Sequence, residues 1–179
     1  MNAATEAIEL RIERIEQLFD TLDPFPFHEK ALDAGAEEYI VAWARALPRS
    51  HPLRVIIHLP ATEATVHRHG EIASAMKKFF DYRAGVSAGD LRQLFRIGRH
   101  SLLIGVVVLA ACLLIAELMP TGAAAGAFTR LVQQSILILG WVANWRPLEI
   151  FLYDWWPLRA RRDLYLRLAS APVELRAYP

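Results

Sequence analysis

Glu63, His67 and Glu71 recur at intervals of four, so a helix after Pro60 sets them on one face. Carboxylate, imidazole and carboxylate in that arrangement can ligate zinc or relay a proton. His69 stands two residues from His67 and points elsewhere on such a helix, while His28 and His51 fall in loops. No HExxH run, cysteine pair, phosphate-cradling glycine loop or Gly-x-Ser-x-Gly elbow accompanies them. A solvated or salt-bridged helix face is the plainer reading of this row. No cofactor and no catalytic residue are expected.

A second set of polar side chains sits in or beside two apolar runs. Ser101 to Ala116 and Leu131 to Trp145 contain no charged residue. Glu117 and Arg130 are the only charges between them. Ionisable groups at membrane depth are costly and are functional candidates. At the outer ends of two spans they would meet headgroups or each other, or ring the mouth of an oligomeric pore. Gln133, Gln134, Ser135 and Asn144 make the second run partly polar. Such groups glue helices together or line a wet path. Beyond it, Trp145, Arg146, Glu149, Tyr153, Trp155 and Trp156 read as anchors at a membrane interface, with Arg146 and Glu149 spaced to pair on a helix.

These residues need a bilayer to position them. A helix crosses the hydrocarbon core with about 20 mostly apolar residues, and both runs reach that length with their neighbours. The expected architecture is an α-helical two-span hairpin, with spans at about 101–119 and 127–146. Lys77, Lys78, Arg83, Arg92, Arg96 and Arg99 precede it, and Arg146, Arg159, Arg161, Arg162 and Arg167 follow it. The positive-inside rule then puts both termini in the cytoplasm. The N-terminus is acidic and lacks the features of a secretory signal, so it is expected to stay on the side where it is made. The formal net charge of +1 over 179 residues gives no bulk field for nucleic acid. The lone Cys112 lies in the first run, reads as a small hydrophobe and excludes an intrachain disulfide.

The remainder reads as a small cytoplasmic α+β domain over 1–86, with the amphipathic lead-in and hairpin over 87–156 and a helix and strand over 157–179. Ile8, Ile12, Ile15 and Phe19 step by four, three and four, which predicts an N-terminal helix whose apolar seam zips onto its own domain or a second copy. Asp23–His28, with two prolines, is not regular helix. A helix over Asp33–Leu47 is capped by Asp33 and buries Ala36, Ile40, Trp43 and Leu47. Leu53–Leu59 is a strand. A helix over Thr62–Tyr82 is interrupted at Gly85, and Ser87 and Asp90 stand in capping-box spacing for the next. The alternating tail Pro172–Tyr178 predicts a strand pairing with Leu53–Leu59, giving a short two-stranded sheet. A pair of strands is marginal alone, so helices must cover it or a neighbouring subunit must extend it.

Two stretches, LFDTLDPFPFHEKALD with AEEYIVAWARALP, and GWVANWRPLEIFLYDWWPLR, resemble a family of small bacterial two-span membrane proteins of uncharacterised role. The resemblance implies the bacterial inner membrane and transfers no activity. The expected function is a homo-oligomeric scaffold or interaction module whose partners are the lipid bilayer, further copies of itself and a cytoplasmic protein. A channel lined by the second span and a membrane-associated metalloenzyme are the alternatives.

Overall fold

The computed structural model describes residues 7–19, 32–48, 51–61, 66–120 and 126–178, and of 66–69 the backbone alone. These residues are mostly helical and carry one small parallel sheet. The chain divides into two compact units. The first comprises Met1–Ser87 and Ala160–Pro179, and the second Ala88–Arg159.

The first unit is built on strands β1 (Ala7–Arg11), β2 (Arg54–Pro60) and β3 (Val173–Tyr178), in that spatial order and all parallel. The register aligns Ile8 with Val55 and Leu10 with Ile57 on one side, and Val55 with Val173 and Ile57 with Leu175 on the other. Alternate side chains therefore point one way into an apolar core of Ile8, Leu10, Val55, Ile57 and Leu59. Parallel neighbours need long crossovers. Among its described residues, the β1–β2 connection holds a 3-10 turn, Ile15–Leu18, and helix α1, Ala34–Ala46. The β2–β3 connection holds α2 (Val66–Leu118), α3 (Ala127–Val142), α4 (Trp145–Glu149), a π-helical segment (Ile150–Asp154) and α5 (Trp155–Ala169). Ile40 and Ala44 of α1, Ile72, Met76 and Phe80 of α2, and Leu164, Tyr165 and Leu168 of α5 join the same core.

The tail strand pairs with β2 as expected, but the sheet has three strands, not two. The third is β1, from the segment expected to be a helix. Ile8 is fully buried, Ile15 and Phe19 nearly so, and Ile12 packs at the margin, all within this chain's own core. Among the described residues, these four side chains leave no apolar seam for a second copy. The spacing of Ile8, Leu10 and Ile12 also satisfies a two-residue period, and pairing along β2 decides between the two readings.

Two further expectations shift. Asp33 caps α1 as predicted, its Oδ1 accepting from the backbone N–H of Gly35 at 2.9 Å and Ala36 at 3.2 Å. The buried stripe is rotated, however: Ile40, Val41 and Ala44 face inward and Trp43 is 47% exposed. Helix α2 also runs unbroken through Gly85. A glycine costs a helix interior only about 1 kcal/mol, and Ser87, buried, donates back to the Arg83 carbonyl at 3.0 Å instead of capping a new helix. The Asp23–His28 segment lies outside the described residues.

In the second unit, the C-terminal part of α2 and α3 pack antiparallel. Gln133 reaches Ala116, Gly140 lies against Leu109 and Cys112, Asn144 reaches Gly105, and Gly98 lies against Ile150 and Phe151. Glycine at 98, 105 and 140 permits this approach, since an added Cβ would fall 2.8, 2.7 and 2.9 Å from the opposing side chains. Among the described residues α2 is the helix long and apolar enough to cross a membrane, and only 17% of its most apolar window is buried. Leu103, Ile104, Val107 and Leu114 of α2, and Leu131, Ile138 and Trp141 of α3, are exposed.

Candidate functional site

The polar seam of the second unit is made by residues on α3 and the turn after it. Asn144 is the N-cap of α4 and is 9% exposed. Its Nδ2 donates to the carbonyls of Gly105 and Gly140, each at 3.0 Å. Two carbonyls on facing helices thus share one amide. Gln133 Nε2 donates to the Ala116 carbonyl at 3.0 Å. Ser135 Oγ donates to the Leu131 carbonyl within its own helix at 2.9 Å. Gln134 is exposed on the surface of α3. Glu117 and Arg130 lie exposed near the facing ends of α2 and α3. Gln133 and Asn144, then, hold the helix pair together.

At the other end of the pair, Arg146 Nη1 lies 3.2 Å from Glu149 Oε2 and 3.1 Å from Asp154 Oδ2. Trp145 Nε1 donates to Glu149 at 3.1 Å, and Trp155 Nε1 to the Phe151 carbonyl at 2.9 Å. Trp155 and Trp156 meet edge to face with ring centres 5.8 Å apart. Tyr153 and Trp156 are exposed. Pro147 falls in the first turns of α4, where its missing N–H costs little, so the helix restarts rather than ends.

A second cluster was not legible as one. Glu37 of α1 accepts at Oε1 from Arg83 Nε at 2.8 Å, from Arg83 Nη2, and from the Tyr165 hydroxyl at 3.2 Å. The Glu37 side chain is only 15% exposed. The Glu37 hydrogen bond raises Arg83 above the usual arginine value, against the lowering effect of burial. The guanidinium also stands 5.8 Å from the ring centres of Phe79 and Tyr165. With Arg45 and Arg161 these groups border a shallow cavity of about 380 Å³. Three donors converge on one carboxylate oxygen, which makes a clamp joining α1, α2 and α5. Spacing along the chain relates none of its members, because they come from three helices brought together by the core.

No family model, curated protein or solved structure matches the chain.

Of the metal candidates, Glu63 and the His67 side chain lie outside the described residues, and Glu71 is exposed on α2. The former seam residues Ile8, Ile12, Ile15 and Phe19 belong to the core or its margin. The polar face of the sheet, opposite the core, draws its side chains from three strands and is assembled only by their pairing.

Proposed function

We propose that the chain is a two-span protein of the bacterial inner membrane, both termini cytoplasmic, whose α/β unit is the interaction module of a homo-oligomeric scaffold. The observation that carries this reading is the pairing of β2 with β3. The connection between these two adjacent strands contains α2, whose most apolar window is only 17% buried. A hydrogen-bonded sheet lies on one side of a bilayer, because lipid offers no partner for open strand edges. A chain that leaves it through α2 must return, so the number of crossings is even.

Helix α3 is the return leg. Its 16 residues rise about 24 Å, and α4 follows after two residues, which brings the run close to the roughly 30 Å of a hydrocarbon core. Lys77, Lys78, Arg83, Arg92, Arg96 and Arg99 precede the pair along the chain, and Arg146, Arg159, Arg161, Arg162 and Arg167 follow it, in keeping with a cytoplasmic location of both flanks.

Self-association is supported by Gln134. It projects from α3 among exposed Leu131, Ile138 and Trp141, with no hydrogen-bond partner among the described residues. An amide within hydrocarbon seeks a partner, and the same residue of a second copy provides one. Site-directed labelling from each side of the membrane tests the topology, and the oligomeric state of Gln134→Leu tests the assembly.

A further inference from the structure

The sheet face opposite the core carries a row of three basic side chains. The register sets Arg11 beside His58 and His58 beside Arg176, on three adjacent strands, which neighbour one another at about 4.8 Å. One step back, Glu9, Ile56 and Glu174 form the next row. Like charges on neighbouring strands repel, so the carboxylates are spent on compensation. His58 Nε2 lies 3.3 Å from Glu9 Oε2. Glu174 takes Arg54 at 3.0 Å and Arg176 at 3.5 Å.

The compensation is incomplete. Three arginines face two glutamates here, and Arg11 has no carboxylate partner among the described residues. Its guanidinium instead lies 4.4 Å from the ring centre of Tyr178. Tyr178 is itself held by its hydroxyl, which donates to the Ile12 carbonyl at 3.4 Å. Arg11 and Tyr178 are the last residues of β1 and β3, and His58 lies near the end of β2. With Glu9 and Leu10 they line a cleft of about 520 Å³. The volume falls in the usual range for small-molecule sites.

We infer that this cleft binds a phosphate monoester. Three arginines against two carboxylates leave this face with a net positive charge, which a phosphate monoester's anion offsets. The Arg11 fork, already oriented by Tyr178, suits phosphate oxygens in a bidentate grip, and the tyrosine ring offers the rest of the ligand a flat apolar wall. The phosphate is borne by a soluble metabolite or by a lipid headgroup. This inference stands independently of the number of membrane crossings.

The test is isothermal titration of phenyl phosphate into the full chain in nanodiscs of phosphatidylcholine, with benzyl alcohol as the uncharged control. Saturable binding of phenyl phosphate alone is expected, at least tenfold weaker in Arg11→Gln and unchanged in Lys77→Gln, an exposed charge on α2. Should Arg11→Gln lose its thermal transition, His58→Asn is expected to give the same weakening. Weaker binding in nanodiscs containing phosphatidic acid assigns the site to a lipid headgroup, and equal binding assigns it to a soluble monoester. Absence of saturable binding to the wild-type chain, or equal affinity in folded Arg11→Gln or His58→Asn, overturns the inference.

Discussion

Asn144 and Gly105 lock the helix pair of the second unit: the Asn144 amide donates to the Gly105 carbonyl at 3.0 Å, and a Cβ at position 105 would lie 2.7 Å from Asn144 Oδ1. The absence of one side chain is what brings the other's amide within reach. Gly105→Ala forces the helices apart and is expected to cost about 1–3 kcal/mol by overpacking. Asn144→Ala loses two hydrogen bonds and should cost about 0.6–2 kcal/mol if the pair lies in lipid. Thermal unfolding of the detergent-solubilised protein, followed by tryptophan fluorescence, measures both. An unchanged midpoint in Gly105→Ala would mean that the helices do not pack at this distance.

The Glu37–Arg83–Tyr165 clamp gives a second prediction. Glu37→Ala leaves a partly buried guanidinium without its carboxylate, at an expected cost of about 1–3 kcal/mol. The double variant Glu37→Leu with Arg83→Met should recover part of that loss, because neither charge then stays behind unpaired. The Arg83 contribution has a definite pH sign. Its folded-state value is raised, so the stabilisation is complete below the ordinary arginine range and fades only as pH climbs through the raised value. Denaturant titrations near neutral pH should therefore find the Arg83→Met deficit independent of pH.

Ile8 and Ile15 distinguish a core strand from a zipper. Both are buried in the first unit, so Ile8→Ala is expected to cost about 2–5 kcal/mol by leaving a cavity. The loss should appear as lowered stability of the α/β unit by hydrogen exchange, with the subunit count unchanged. Dissociation of an oligomer without loss of exchange protection would restore the zipper.

Gln134→Leu addresses the assembly. Interhelical hydrogen bonds in membranes contribute about 0.6–2 kcal/mol, which corresponds to roughly threefold to thirtyfold weaker self-association. Energy transfer between labelled copies in liposomes, over a range of protein-to-lipid ratios, measures it. Equal association of wild type and variant removes Gln134 from the contact.

Much of the secondary structure is written locally. Asp33 ahead of Glu37 and Glu38 announces the start of α1, and the β-branched run before Pro60 announces β2. The alternation of Val173, Leu175 and Ala177 announces β3. The failures share a cause. Ile8, Ile12 and Ile15 fit a helical period, while Ile8 and Leu10 fit a strand, and only the partner strand 47 residues on breaks the tie. Gly85 and Ser87 look like punctuation, yet the hydrogen-bond ladder of a long helix absorbs them. Trp43 looks like core, yet the covering face of α1 is set by where β1 runs. The site residues follow the same rule. Gln133 and Asn144 stood out because polarity in an apolar run is visible locally. Glu37, Arg83 and Tyr165, and the row Arg11, His58 and Arg176, exist only once distant segments are paired.

The proposed topology sets β2 and β3 on one side of a membrane with a two-span hairpin between them. In a Cys112→Ala background, single cysteines at Glu38 and at Ala124 can be probed with a membrane-impermeant maleimide on right-side-out and inverted inner-membrane vesicles. With this topology the cysteine at 124 reacts only in right-side-out vesicles and the one at 38 only in inverted ones. Reaction of both positions from the same side would contradict it.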